Sequence, residues 1–226
     1  GCRSVRVHSR REDAGAGGAW VLHAEGVVGG GAEGSVPAFD LTAWPPPGAT
    51  PVDVADMYEV LAERGYDYGP VFQGLKRAWT AGEDIFAEVE LDESAHTDAA
   101  RFGLHPALLD STMHALGLQT ADPGSGPAED DRPALPFFWE GVRLFASGPT
   151  ALRVRLTGSG DDTVSLAMAD TAGEPVLSVD GLTLRPVSVE QLAGVGGGGG
   201  LHEVVWRSLV TAGVVEGPVE AAVFEV

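Results

Sequence analysis

The chain has 226 residues, enough for one large domain or two small ones with a real hydrophobic core. Hydrophobic residues make up 44% and charged residues 21%, the balance of a globular protein, and no apolar run approaches the roughly 18 residues of a membrane span. The 14 basic against 33 acidic residues give a formal charge of −19, a surface that repels phosphate backbones and anionic lipids and argues against nucleic-acid and membrane partners.

Cys2 is the only cysteine, so no internal disulfide or cysteine-based metal cluster can form, which fits a reducing cytoplasm. His8, His23, His96, His105, His114 and His202 are scattered without a ligand-like spacing, so no metal is expected. The N-terminus lacks a signal-peptide core and does not begin with methionine, as expected for a piece of something longer.

Residues 4–9 and 20–28 alternate polar and apolar side chains and predict two strands joined by a polar turn. Residues 29–50, glycine-rich and ending in Pro45-Pro46-Pro47, read as a connector between two folded units. Pro51-Val52-Asp53 reads as the entry to a helix, with Asp53 as N-cap, Val54, Met57, Tyr58 and Leu61 at helical spacing, and Gly65 at its end. Residues 75–80 and 85–91 predict a strand pair, and 105–118 the next helix. Residues 124–131 read as a loop, followed by strands at 141–145, 152–157, 164–168 and 176–186. One central helix among many antiparallel strands makes an α+β fold. The nearly all-glycine stretch 194–200 is a spacer, and 201–209 starts a strand whose pattern finds no partner in what remains, as if opening a different domain.

The sharpest chemical feature is Leu104-His105-Pro106-Ala107-Leu108-Leu109-Asp110-Ser111-Thr112-Met113-His114-Ala115. Proline costs nothing in the first helical turn, where its missing N–H has no partner anyway. Apolar residues surround the helix axis almost completely, so the helix must be buried. A carboxyl group there loses hydration, which favours the protonated form that a general acid needs. His114, four residues on, shares the face of Asp110 and can hold its carboxyl group. Spacing alone fits an acid held by its partner and a structural Asp–His pair equally well.

Gly65-Tyr66-Asp67-Tyr68-Gly69-Pro70-Val71-Phe72-Gln73-Gly74 contains a turn presenting a phenol, with Phe72 as a hydrophobic anchor. Leu135-Pro136-Phe137-Phe138-Trp139 is an aromatic-rich entry into a strand. Each segment alone reads as a structured loop or as core packing. In combination, YGPVFQGL, HPALLDSTMHA and LPFFWEGVRL occur in the order and approximate spacing of dehydratase domains of type I modular polyketide synthases. The chain resembles that family from Ser4 to about Val189, including the segment Val5-Arg6-Val7-His8-Ser9-Arg10-Arg11-Glu12-Asp13. Residues 201–209 are similar to the start of the structural part of the ketoreductase region that follows such domains.

The resemblance implies a double hotdog, in which each half is a curved antiparallel sheet around a helix. Residues 1–31 would end the first hotdog, 32–50 link the two, 51–188 form the second, 189–200 make a glycine-rich linker, and 201–226 begin the ketoreductase structural domain. The family eliminates water from a β-hydroxyacyl thioester on the phosphopantetheine of an acyl carrier protein, giving an α,β-unsaturated thioester. No cofactor is bound directly. Asp110 matches the family's acid and His114 its partner. Tyr68, Gly69 and Pro70 match the turn beside the substrate hydroxyl, with Phe72, His105 and Pro106 as further substrate contacts. Leu135, Pro136 and Phe137 would line the tunnel for the acyl chain and pantetheine arm.

The family's base is a histidine in an HxxxGxxxxP motif that no histidine here fits: four residues after His8 stands Glu12, after His23 Val27, and after His105 Leu109. The chain alone is therefore expected to be inactive. Partners implied by the resemblance are the carrier protein, neighbouring synthase domains and a second copy in a homodimeric parent. Carrier proteins are usually acidic too, so docking is expected to rely on tethering rather than on charge. Two rival expectations are a non-catalytic hotdog that binds acyl chains or dimerises, and double-bond migration or cyclisation at the same site.

Overall fold

The computed structural model describes residues 2–10, 18–30, 39–118, 134–158 and 163–187, together with the backbone of 203–208 and 220–225. The chain divides into two compact units, Gly1–Ser35 with Ala193–Val226, and Val36–Leu192. The expected loop at 124–131 and glycine spacer at 194–200 lie outside the described residues.

In the first unit β1 (Cys2–Arg10) and β2 (Val21–Gly29) pair antiparallel from Cys2↔Gly29 to Ser9↔Val21, with an irregularity between Val7 and His8. These are the two strands expected from alternation. Strands β11 (Glu203–Ser208) and β12 (Glu220–Glu225) pair antiparallel, and β12 also lies parallel to β1, giving the order β11-β12-β1-β2. The expectation that residues 201–209 find no strand partner is therefore corrected: periodicity within one strand does not reveal which distant strand will pair with it.

The second unit is built on an antiparallel sheet of order β3-β4-β5-β8-β9-β10-β6, with the short β7 also paired to β10. Its strands are β3 (Thr50–Val52), β4 (Leu75–Ala81), β5 (Asp84–Glu90), β6 (Ala134–Glu140), β7 (Arg143–Leu144), β8 (Ala151–Gly158), β9 (Thr163–Ala169) and β10 (Pro175–Pro186). Strand β8 shows why: Leu152, Val154 and Leu156 are buried and alternate with half-exposed Arg153, Arg155 and Thr157, the period of a pleated strand whose apolar residues share one face. Strands β4 and β5 turn through Gly82 and Glu83, with Gly82 at φ +62°, a conformation that costs glycine little. Strand β6 lies at the sheet edge, where Pro136 removes no ladder bond from a central strand. The expected strand at 141–145 contracts to Arg143–Leu144.

Among the described residues three short α-helices accompany the sheet: α1 (Met57–Glu63), α2 (His96–Ala99) and α3 (Pro106–Met113), the last continuing as a 3₁₀ turn over His114–Leu118. Helix α3 packs Ala107 and Leu108 into a core shared with Ile85, Val89, Leu152, Val154, Met168 and Leu182. Burying each large aliphatic side chain is worth about 1.5–3 kcal/mol. This sheet-and-helix arrangement is the expected α+β hotdog.

Two expectations are corrected here. Helix α1 starts at Met57, not at Asp53: Thr50, Pro51 and Val52 pair with Thr80, Trp79 and Ala78, and strand pairing takes the residues read as the helix entry. Asp53 instead accepts the Ala55 N–H at 3.0 Å in a local turn. The C-terminus is as expected, with Gly65 at φ +93°. The Gly65 N–H donates to the Ala62 carbonyl at 3.0 Å and that of Tyr66 to the Leu61 carbonyl at 2.9 Å, the paired closure of a glycine-terminated helix.

The second correction concerns residues 39–50, read as connector. Leu41 is 2% exposed and packs with Phe86 and Ala169 on the sheet face opposite α3. Trp44 packs edge-on against Trp79 and Phe86, and its indole N–H donates to Glu88 Oε1 at 2.8 Å. Arg153 donates to the Leu41 carbonyl at 3.0 Å. Three prolines and a glycine mark this segment as irregular backbone, which is a different property from being unpacked. Among the described residues no helix is long and apolar enough to cross a membrane.

Candidate active site

All three tyrosines of the chain stand within residues 58–68: Tyr58 and Tyr68 pack against His114, just after α3, and Tyr66 stacks on Tyr68 and bonds Ala134 at the start of β6. Between them opens a cavity of about 290 Å³ lined mainly by apolar side chains, among them Leu61, Met113, Leu116, Leu135 and Leu184. Tyr66, Tyr68, Asp110, His114, Arg64 and Pro136 also reach it. A mostly apolar hollow with a few convergent polar groups is the usual form of a small-molecule site.

Asp110 and His114 stand one helical turn apart, and His114 Nε2 lies 3.2 Å from Asp110 Oδ2. The imidazole is 2% exposed, whereas the Asp110 side chain is 33% exposed. The nearly dry setting expected for this carboxyl group is thereby corrected. Ala107, Leu108, Ser111 and Thr112 are buried, but Asp110 sits on the side of α3 that faces the cavity. All-round apolarity of a helix reports its average burial and is blind to a local hollow. Among the described residues Asp110 Oδ1 has no hydrogen-bond partner.

The other imidazole nitrogen, Nδ1, lies 3.1 Å from the Tyr58 hydroxyl, which accepts the Leu75 N–H at 2.8 Å. Burial pushes the Tyr58 phenol up to about 12, against the lowering effect of the Leu75 N–H, with the nearby Asp110 charge adding to the rise. Tyr68 lies against the imidazole, ring centroids 4.0 Å apart. Burial raises its phenol well above the ordinary tyrosine range, and Asp110 is the next contributor. Both therefore remain neutral O–H groups at physiological pH. The Tyr68 hydroxyl has no hydrogen-bond partner among the described residues and reaches the cavity.

The turn that presents Tyr68 is held to α3 by Ser111, which is fully buried. Its hydroxyl lies 2.9 Å from the Phe72 carbonyl and 2.8 Å from that of Ala107, and it accepts the Gly74 N–H at 3.2 Å. Gly74 is required by this approach, since a Cβ there would stand 2.5 Å from Ser111 Oγ and 2.9 Å from the Glu90 carbonyl. At the opposite wall the Tyr66 hydroxyl accepts the Ala134 N–H at 2.6 Å and donates to its carbonyl at 3.2 Å, pinning the first residue of β6.

Of the residues expected from sequence, Asp110, His114, Tyr68, Leu135 and Pro136 share the cavity. Gly69, Pro70 and Phe72 do not line it but shape the turn behind Tyr68. His105 and Pro106 also lie outside its lining: His105 Nδ1 caps α3 by accepting the Ala107 N–H at 3.2 Å, and Pro106 occupies the first helical position. Phe137 is 59% exposed with the Arg185 guanidinium 3.8 Å from its ring centroid, outside the cavity. Phe137 is left unpaired where the register shifts between Thr183↔Phe138 and Leu184↔Pro136, a bulge that breaks the simple alternation and turns its side chain away from the cavity that Leu135 and Pro136 line. Tyr58, Tyr66, Ser111, Gly74 and Arg64 were not singled out from sequence. The clustering of every tyrosine within eleven positions was the available signal.

Comparison with known proteins identifies the family. Residues 36–194 match the family model described as the polyketide synthase dehydratase N-terminal domain. The polyketide synthase GfsA of Streptomyces halstedii is 47% identical over 216 residues, covering 92% of this chain and 3% of that protein. The solved dehydratase domain from the terminal module of the rifamycin polyketide synthase is 42% identical with a TM-score of 0.71, covering 82% of this chain and 64% of that one. A bifunctional dehydratase-cyclase domain from ambruticin biosynthesis is 36% identical with a TM-score of 0.71, covering 88% and 68%. The chain thus spans a small fraction of its curated relatives' length and about two thirds of the solved domains. On sequence and fold, the chain belongs to the polyketide synthase dehydratase family.

Proposed function

We propose that this chain carries the acid half of a centre that dehydrates a β-hydroxyacyl thioester held on the phosphopantetheine arm of an acyl carrier protein. A base removes the α-proton, the C–O bond at the β-carbon breaks, and Asp110 gives its proton to the departing hydroxyl, which leaves as water. The product is an α,β-unsaturated thioester. His114 holds one carboxyl oxygen and Tyr68 offers its O–H to the substrate oxygen. Leu135 and Pro136 provide apolar wall for the acyl chain.

The observation that carries this reading is the Asp110 carboxyl group, held by a buried imidazole on one oxygen while the other faces an apolar cavity shared with a neutral phenol. The Asp110 helix also argues for residues 51–188 as the second hotdog of the domain, although the matching family description names an N-terminal domain. The neighbours would be other synthase domains of a homodimeric, cytoplasmic parent, consistent with relatives far longer than this chain.

The base is the family's HxxxGxxxxP histidine, for which this sequence has no counterpart. Losing a general base costs on the order of 10² to 10⁴ in rate. We therefore expect the 226-residue chain to give no measurable water loss from a β-hydroxyacyl carrier-protein substrate followed by mass spectrometry. Turnover by the chain alone would refute the assignment of the base. In the complete domain, Asp110→Asn should lower turnover by on the order of 10² to 10⁴ with little change in melting temperature, because an amide cannot donate that proton. An unfolded variant with normal activity per folded molecule would make Asp110 a structural residue in a binding module. Similarity to a dehydratase-cyclase favours one second reading, ring closure at the same site. Product analysis with a thioester bearing a distal hydroxyl separates the two.

A further inference from the structure

We infer that Tyr58 is a positioning residue that fixes the tautomer of His114 and so decides which oxygen of Asp110 carries the transferable proton; its catalytic consequence rests on the acid role proposed above. Four groups form an unbroken line: the Leu75 N–H, the Tyr58 hydroxyl at 2.8 Å, His114 Nδ1 at 3.1 Å, and His114 Nε2 with Asp110 Oδ2 at 3.2 Å. The backbone end sets the direction. An amide N–H can only donate, so the Tyr58 oxygen accepts from Leu75 and its own proton is left to point at His114 Nδ1. A ring nitrogen that accepts there carries no proton. In the neutral imidazole the proton then sits on Nε2 and is donated to Asp110 Oδ2.

The opposite arrangement fails at both ends of the line. With the proton on Nδ1, the Tyr58 oxygen would accept twice and its O–H would lose its partner. The bare Nε2 would meet the lone pairs of an ionised Asp110, or else capture the proton of a neutral one. That capture is the damaging case, since a proton shared between Oδ2 and an imidazole 2% exposed to solvent is withheld from the cavity. With Nε2–H already donated to Oδ2, the carboxyl proton must reside on Oδ1. That oxygen has no partner among the described residues and is the one free to reach a substrate. On proton transfer Oδ1 loses its hydrogen to the departing hydroxyl, and the resulting carboxylate keeps the Nε2–H bond without any proton moving on the ring.

The test reads the ring directly. Two-dimensional ¹⁵N–¹H NMR on the imidazole-labelled chain should show His114 protonated on Nε2 and bare on Nδ1. In Tyr58→Phe the two tautomers should mix, because nothing then donates to Nδ1. A wild-type ring protonated on Nδ1, or a Tyr58→Phe ring with unchanged tautomer, overturns the inference, and the wild-type arm stands even if the variant folds poorly. In the complete dehydratase domain Tyr58→Phe should lower kcat roughly tenfold, the worth of about one hydrogen bond, with KM unchanged. A rise in KM at constant kcat would mean that Tyr58 contacts substrate instead. If Asp110→Asn remains active, the acid role fails whatever the tautomer. If Asp110→Asn is inactive while Tyr58→Phe changes neither tautomer nor kcat, only the present inference fails.

Discussion

Asp110 shows how little a residue's type says until its partners are known. Its carboxyl group stands on a helix whose neighbours are buried, yet a third of the side chain opens onto a cavity. Local spacing was enough to pair it with His114, because i and i+4 meet on any α-helix. Tyr58 was legible only as an apolar position of α1, and its bond to His114 spans 56 positions. The tyrosines also make a measurable prediction. The phenol of Tyr58 is raised to about 12, and that of Tyr68 is raised further, chiefly by burial. Because the folded state holds these protons more tightly than the unfolded chain, their contribution to stability is constant below about pH 10 and is lost as pH climbs through the folded values. Absorbance titration should show tyrosine ionisation that lags beyond pH 10 in the native protein and becomes ordinary in denaturant. Ionisation of Tyr58 and Tyr68 near pH 10 without unfolding would contradict the buried site.

At the scale of elements, the site depends on a turn and a helix locked together. Ser111 ties α3 to the carbonyl of Phe72 and the N–H of Gly74, and so places Tyr68 over His114. Gly74→Ala forces a Cβ into the Ser111 hydroxyl and should cost about 1–3 kcal/mol, read as a shift in the denaturant midpoint. Ser111→Ala leaves the Gly74 N–H unpaired in the interior and should cost about 1–3 kcal/mol as well. Its distinguishing effect is a loosened Tyr68 turn, detectable as faster amide exchange at Phe72 and Gly74 while β8 and β9 stay protected. A variant with wild-type exchange at the turn would show that Ser111 does not hold it. Element types were largely readable: the alternation of β8 and the glycine stop of α1 are local signals. The start of α1 was misread because Pro51 and Val52 suit a helix entry and an edge strand alike, and only the partner β4 decides between them.

For the whole molecule, the second unit has its own two-sided core, with α3 on one face of the sheet and Leu41 with Trp44 on the other. Val36–Leu192 expressed alone should therefore melt cooperatively within about 4 °C of the full chain, the shift that about 1 kcal/mol produces in a domain of this size. Removing residues 36–49 from that unit as well should abolish the cooperative melt, because Phe86 and Ala169 would lose their cover. Retention of a sharp transition would restore the connector reading of the segment.

The sequence by itself determined what depends on neighbours along the chain: strand and helix periods, the burial of α3, the pairing of Asp110 with His114, and the three motifs that mark the family. Only the tertiary structure decided that residues 39–44 cover a sheet face, that Asp110 opens onto a cavity, and that Tyr58 reaches His114. The physical reason is one of range. Backbone periodicity acts over a few residues, whereas cavities and hydrogen-bond relays are made by side chains that the packed chain alone brings together.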